Sequence, residues 1–172
     1  MPLNHSSKFA DLTDEQYAAL GRIVVEWSNI ERLLGFLLNR MLRMPEYLGR
    51  TYTSGLSAVR LQQAIAEALE VHRIRYRATQ IPESTLRAIE QINAEVTSLR
   101  TDRNKVSHFC WLRSNDQEVF GTALAGGVQA PRRLEKTERT VTNAQLKLMH
   151  TKAYDIVERL MQLVESVQPV KE

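Results

Sequence analysis

Residues 142–167 read TNAQLKLMHTKAYDIVERLMQLVESV, and they settle the class of fold. Thr142 and Gln145 stand in capping-box order: the threonine hydroxyl accepts from the backbone N–H three residues on, while the glutamine side chain accepts from the threonine N–H. Behind them Leu146, Met149, Ala153, Ile156, Leu160, Leu163 and Val167 recur at intervals of three and four, the period of one buried helix face. Thr13-Asp14-Glu15-Gln16 repeats the signature ahead of Tyr17, Leu20, Val24, Trp27, Leu34, Leu38 and Met41. That helix runs to about Arg43, where Met44-Pro45 stops it, and Gly49 to Gly55 reads as a connecting loop. A second helix starts near Ser57, with Leu61, Ile65, Leu69 and His72 on one side. Ile81-Pro82-Glu83 places proline in the first turn of a third, whose stripe is Leu86, Ile89, Ile92, Val96 and Leu99.

The period changes over residues 109–141. An Asn115-Asp116 turn, Gly121, Gly126-Gly127 and Pro131 punctuate β-formers such as Phe109, Trp111, Val119 and Phe120. This predicts a β-hairpin with a third short strand near 132–139. The expected fold is all-α: an up-down four-helix bundle with the hairpin, about 109–141, inserted between helices three and four. No repeat or linker divides the chain, so 1–172 reads as a single helical domain with its core in 13–167.

Composition sets the function classes. Hydrophobic content of 43% beside 25% charged residues belongs to a globular chain, not a disordered one. The longest apolar run, Leu33 to Leu38, is too short to span a bilayer, and residues 1–12 lack the apolar core of a secretory signal. The single cysteine, Cys110, rules out an internal disulfide framework, so no membrane partner and a cytoplasmic location are expected. Cys110 itself reads as a buried structural thiol and His72 as a packed or interfacial histidine. Neither zinc-ligand spacing nor a glycine-rich phosphate loop occurs, so no metal and no cofactor are expected.

The net charge of +3 argues against a strongly basic coat for nucleic acid. The surplus is local: residues 47–80 carry five basic groups against two acidic ones. Arg60, Arg73, Arg75 and Arg77 make up most of it. Two readings fit, cations complementing a helix C-terminus and guanidinium forks for phosphate.

Two charges break the stripes. The alternation 17, 20, 24, 27, 31, 34 puts Glu31 at a core-type position, and 89, 92, 96, 99, 103, 106 does the same for Arg103. Burying either alone would cost several kcal/mol. In an up-down bundle the first and third helices run parallel, and these residues lie about 27 Å and about 31 Å along them. They are therefore expected to face each other, either as a structural ion pair or as part of a site. Arg103-Asn104-Lys105-Val106-Ser107-His108 favours a site, because Asn104 and His108 stack at i, i+4. A permanent cation and a group that titrates near neutrality are the minimum for cleaving a phosphodiester without metal. Arg100 and Lys105 flank them as further phosphate contacts. The starts of helices two and four, with Arg60, Lys147 and His150, are expected near the same end, where helix N-termini attract anions.

Arg103-Asn104-x-x-x-His108 at the end of the third helix resembles the signature of HEPN-domain ribonucleases: an arginine, a polar residue, then a histidine four to six places after the arginine. Trp111 beyond the histidine and Trp27-x-x-x-Glu31 also look like bacterial members, and the resemblance covers most of 13–167. It implies a metal-independent endoribonuclease acting on RNA, a homodimer whose two motifs flank a shared cleft. The 2′-hydroxyl would attack the adjacent phosphate and leave a cyclic phosphate. By resemblance His108 transfers the proton, Arg103 stabilises the phosphate and Asn104 supports them. Glu31, from the stripe, would orient Arg103. Many such relatives are toxins paired with an antitoxin protein, often nucleotidyltransferase-like; no such domain is in this chain. The alternatives are a non-catalytic module of the same fold binding RNA or nucleotide, and a purely structural dimerisation domain.

Overall fold

Thr13 and Thr142 open their helices as capping boxes. Gln16 Oε1 accepts from the Thr13 N–H at 2.9 Å and the Gln16 N–H donates to Thr13 Oγ1 at 3.2 Å. Gln145 and Thr142 repeat the exchange at 2.9 and 3.2 Å. The structure, a computed structural model, describes residues 10–123 and 138–168. Its elements are α1 (Asp14–Met41), α2 (Glu46–Thr53), α3 (Ala58–Ile74), α4 (Glu83–His108), β1 (Phe109–Asn115), β2 (Glu118–Ala123), β3 (Glu138–Thr142) and α5 (Asn143–Ser166). The described chain is predominantly α-helical with one small antiparallel sheet in the order β1-β2-β3.

Three expectations about the elements change. The stretch around Gly49, expected as loop, is helical from Glu46 through Thr53. Pro45 leads into it in an extended conformation (φ −53°, ψ 141°), which suits a residue just outside a helix. Gly49 sits inside this helix because a Cβ there would lie 2.5 Å from Asn39 Cγ. The buried Asn39 amide, oriented to satisfy both its ends, donates to the Gly49 carbonyl at 3.1 Å and accepts from the Arg50 N–H at 3.2 Å. The third strand occupies 138–142 and runs straight into α5; Gly126-Gly127, Pro131 and the rest of 124–137 lie outside the described residues. The seam of α1 also differs: Gln16, Ile23, Trp27, Ile30 and Leu34 are buried, whereas Tyr17 and Val24 are exposed. A polar residue with hydrogen-bond partners has taken the inward position that hydropathy alone assigned to Tyr17.

The chain divides into two compact units, Met1–Val25 with Arg100–Lys152, and Glu26–Leu99 with Ala153–Glu172. In the first, Ile23, Val106, Val119, Val141 and Leu146 form a buried cluster, with Leu20, Trp111 and Met149 packed against it. Helix starts hold the β1–β2 turn in place. Gln16 Nε2 donates to the carbonyls of Asn115 (2.9 Å) and Glu118 (3.3 Å). The Asn143 N–H donates to Gln117 O at 2.8 Å and its side chain to Asp116 O at 2.9 Å. In the sheet, Trp111 pairs with Gly121. A Cβ on Gly121 would fall 2.5 Å from Phe109 Cδ2 and 2.7 Å from Trp111 Cζ3. Because Trp111 Nε1 is tied to the Val106 carbonyl at 2.8 Å, its ring has little room to retreat. Gly121→Ala is expected to cost about 1–3 kcal/mol, read as a lower urea midpoint with unchanged slope.

In the second unit, Trp27, Ile30, Leu34, Leu37, Ile65, Ile89, Ile92 and Leu160 are fully buried. Polar groups bridge its helices. Gln62 Nε2 donates to Asn93 O at 2.9 Å and to Thr97 Oγ1 at 2.7 Å, while Asn93 Nδ2 returns a bond to Gln62 O at 3.1 Å. Arg159 grips Glu95 with two parallel bonds of 2.6 and 3.0 Å, which holds the Glu95 carboxyl below the usual carboxylate range. A depressed folded-state value means that the pair stabilises fully above the ordinary value of 4.5 and stops doing so as pH falls through the folded one. Both side chains are about one-third exposed (35% each), so solvent screening limits the gain to about 0.5–1 kcal/mol. Arg159→Gln should lose this margin at pH 7, the gap to the parent narrowing as pH falls below the ordinary carboxylate value and closing once it passes the lowered folded-state one.

Candidate functional site at the end of helix α4

The Arg103, Asn104 and His108 side chains stand on the last turns of α4, and His108 is its final residue. Phe109 begins β1 without an intervening loop. The junction is held from three directions. Val106 is buried in the cluster of the first unit, Trp111 Nε1 reaches back to the Val106 carbonyl, and Asp102 pairs with Arg139 of β3 at 3.3 Å. The ends of α4 and β1 are therefore fixed against each other, and His108 is presented outward from a rigid corner.

Arg103 is half-buried, whereas Asn104 and His108 are exposed. The Arg103 Nη1 donates to Asn104 Oδ1 at 3.3 Å, so the amide holds one arm of the guanidinium fork. Arg100, half-buried, lies one turn earlier in the same unit; the Lys105 side chain lies outside the described residues. A permanent cation steadied by an amide, with an imidazole in contact with solvent, is suited to phosphate charge and proton transfer.

Glu31 and Arg103, expected to face each other, fall in different units. The first unit gathers the start of α1 with the end of α4, where an up-down bundle sets these at opposite ends. Helix α2 lies between them in sequence, and after it the end of α3 returns beside the end of α1, where His72 Nε2 is 2.9 Å from the Met41 carbonyl. Glu31 lies in the second unit, half-buried beside a seam whose inward residue is Ile30. Lys147 and His150, near the start of α5, do share the first unit with Arg103 and His108, while Arg60 belongs to the second.

The arginines at the far end of α3 divide. Arg73 is bound to Glu90 at 2.7 Å and lies 3.5 Å from Glu83. Its guanidinium pulls the Glu90 carboxyl below the ordinary range. Arg73 thus has its charge matched locally, which favours the structural reading for that residue. Arg60, Arg75 and Arg77 are exposed, and Arg77 has a left-handed backbone (φ 48°). His72 is buried, with Nε2 at 2.9 Å from the Met41 carbonyl, the packed histidine its stripe suggested. Cys110 is exposed instead of buried. Strand parity explains this: Phe109 and Trp111 turn toward the core, so the residue between them turns away.

Sequence reading missed the Gln16 and Asn143 clamps and the Asp102–Arg139 pair, because each joins residues distant in sequence. Among the described residues no three His, Cys, Asp or Glu side chains gather closely enough to hold a metal ion, and no helix is long and apolar enough to cross a membrane. No family model matches the chain, and neither the curated proteins nor the solved structures include a match.

Proposed function

We propose that the chain is a metal-independent endoribonuclease of the HEPN type, with Arg103, Asn104 and His108 as its reacting groups. The observation that carries this reading is an exposed imidazole on the last residue of α4, five residues after a half-buried guanidinium steadied by Asn104. The 2′-oxygen of RNA attacks the adjacent phosphorus and its proton passes to a base. The bond from phosphorus to the 5′-oxygen breaks, and that oxygen takes a proton from an acid. His108 serves proton transfer, Arg103 stabilises the charge gathering on the phosphoryl oxygens, and Asn104 keeps the guanidinium aimed. In a homodimer, two copies of His108 would divide the roles of base and acid. The cleavage chemistry uses residues of the first unit alone.

The reading carries further parts with it: a four-helix bundle built on α1, α3, α4 and α5, a homodimer, a cytoplasmic setting, RNA as substrate and an antitoxin protein as partner. The test is to incubate a structured RNA with the protein in excess EDTA and analyse the fragment ends. Fragments with 2′,3′-cyclic phosphate and 5′-hydroxyl ends are the expected result. RNA retained without cleavage would establish the non-catalytic module instead, and no interaction with RNA would refute both.

A further inference from the structure

The second unit holds a cavity of about 540 Å³ whose lining includes Glu31, Arg32, Phe36, Arg50, Ser54 and Ser57. Arg32 and Phe36 lie one turn apart on α1, and the Arg32 guanidinium carbon sits 5.4 Å from the centre of the Phe36 ring. Arg50 reaches the same ring from α2, at 5.5 Å. Both guanidinium groups are thus drawn to the one ring, on the lining of the same cavity, by cation–π attraction. Among the described residues neither arginine has a carboxylate within ion-pair distance. Glu31 lines the same cavity without pairing with either.

Two cations on the lining of one cavity repel each other, and an anion between them offsets that cost. The charge around the cavity is two positive against one negative, so a dianion suits it better than a monoanion. Ser57 caps α3, accepting from the Arg60 N–H at 3.5 Å, and the positive end of that 17-residue helix adds to the attraction. Glu31 can only accept hydrogen bonds when ionised, so it selects a ligand that also offers a hydroxyl or amino donor. The volume falls within the range of small-molecule sites.

We propose that this cavity binds a phosphate monoester dianion, with Arg32 and Arg50 on the phosphate and Glu31 accepting from a hydroxyl of the same ligand. The monoester is either a free sugar or nucleoside phosphate or the 5′-phosphorylated end of an RNA. The site shares no residue with the cleavage chemistry and does not depend on it.

Titration calorimetry of the full chain tests the proposal with four probes: inorganic phosphate, uridine 5′-monophosphate, and a ten-nucleotide RNA with and without a 5′-phosphate. The RNA arms use His108→Ala, so that cutting does not confuse the readout. One monoester per chain with Kd below about 1 mM is expected. Arg32→Gln and Arg50→Gln should each weaken it by about 10-fold or more. Circular dichroism of these exposed-arginine variants should match the parent. Glu31→Gln should weaken the nucleotide relative to inorganic phosphate. A 5′-phosphorylated RNA held more tightly than the mononucleotide identifies the RNA end as the source; the reverse order identifies a free phosphate ester. No binding of any monoester, or Arg50→Gln binding like the parent, overturns the proposal. Because binding is read separately from RNA cutting, a protein that cuts but does not bind monoesters sinks only this inference, and one that binds but does not cut sinks only the ribonuclease.

Discussion

Alanine at His108 is expected to lower RNA cleavage by about 10²–10⁴-fold, the usual contribution of a positioned acid or base, while leaving the melting temperature unchanged. The second half of that expectation comes from exposure: His108 ends α4 with its side chain in solvent, and substitutions at such places stay within about 0.5 kcal/mol. Arg103→Ala should cost about 10²–10³-fold in rate and also some stability, since Arg103 is half-buried. Arg103→Lys separates charge from shape. It keeps the cation but loses the planar fork whose one arm bonds Asn104 at 3.3 Å, so a loss close to that of alanine is expected. Equal cleavage by the parent and His108→Ala, with both proteins folded by circular dichroism, would end the ribonuclease reading.

The largest stability effect outside the apolar cores is expected at Gln16. The two capping boxes look alike in sequence but differ in what else their glutamines do. Gln145 is exposed and only returns the bond to Thr142. Gln16 is fully buried, caps Thr13 through its oxygen and holds two carbonyls of the β1–β2 turn through its nitrogen. Gln16→Ala therefore removes a cap worth about 1 kcal/mol and strips two carbonyls of a donor at about 1–3 kcal/mol each where buried. Allowing for relaxation, a loss of about 3 kcal/mol is expected in urea unfolding. Gln145→Ala should lose only about 0.5–1 kcal/mol. Similar losses for the two would show that the turn contacts contribute little.

Helix positions were legible where a single face stays apolar and a cap announces the start, as at Thr13 and Thr142. The place of Arg103, Asn104 and His108 on the last turns of one helix was legible too, because they lie within six positions of one another. What escaped is what depends on distant partners. Helix α2 was hidden behind Pro45, which precedes it, and Gly49, whose place inside it makes sense only once the Asn39 side chain is seen against Gly49. The inward turn of Gln16 in place of Tyr17 required knowing that a hairpin turn would arrive beside it. The same blindness set Glu31 level with Arg103, since the extra helix between them leaves no mark on the periodicity of either stripe. Arg32-x-x-x-Phe36 offered a local hint of the cation–π site, but Arg50 could be added only by the fold.

The Gln16 contact also sets an order of events in time. Its partner carbonyl on Asn115 lies 99 residues downstream, so during synthesis the buried amide nitrogen on α1 waits for that whole stretch before it finds its acceptor. Contacts of such sequence separation form slowly because a long loop must close first. The first unit, which carries the His108 corner, draws on both early and late parts of the chain. Its assembly, and with it any activity of that corner, waits until residues as far as Lys152 have been made.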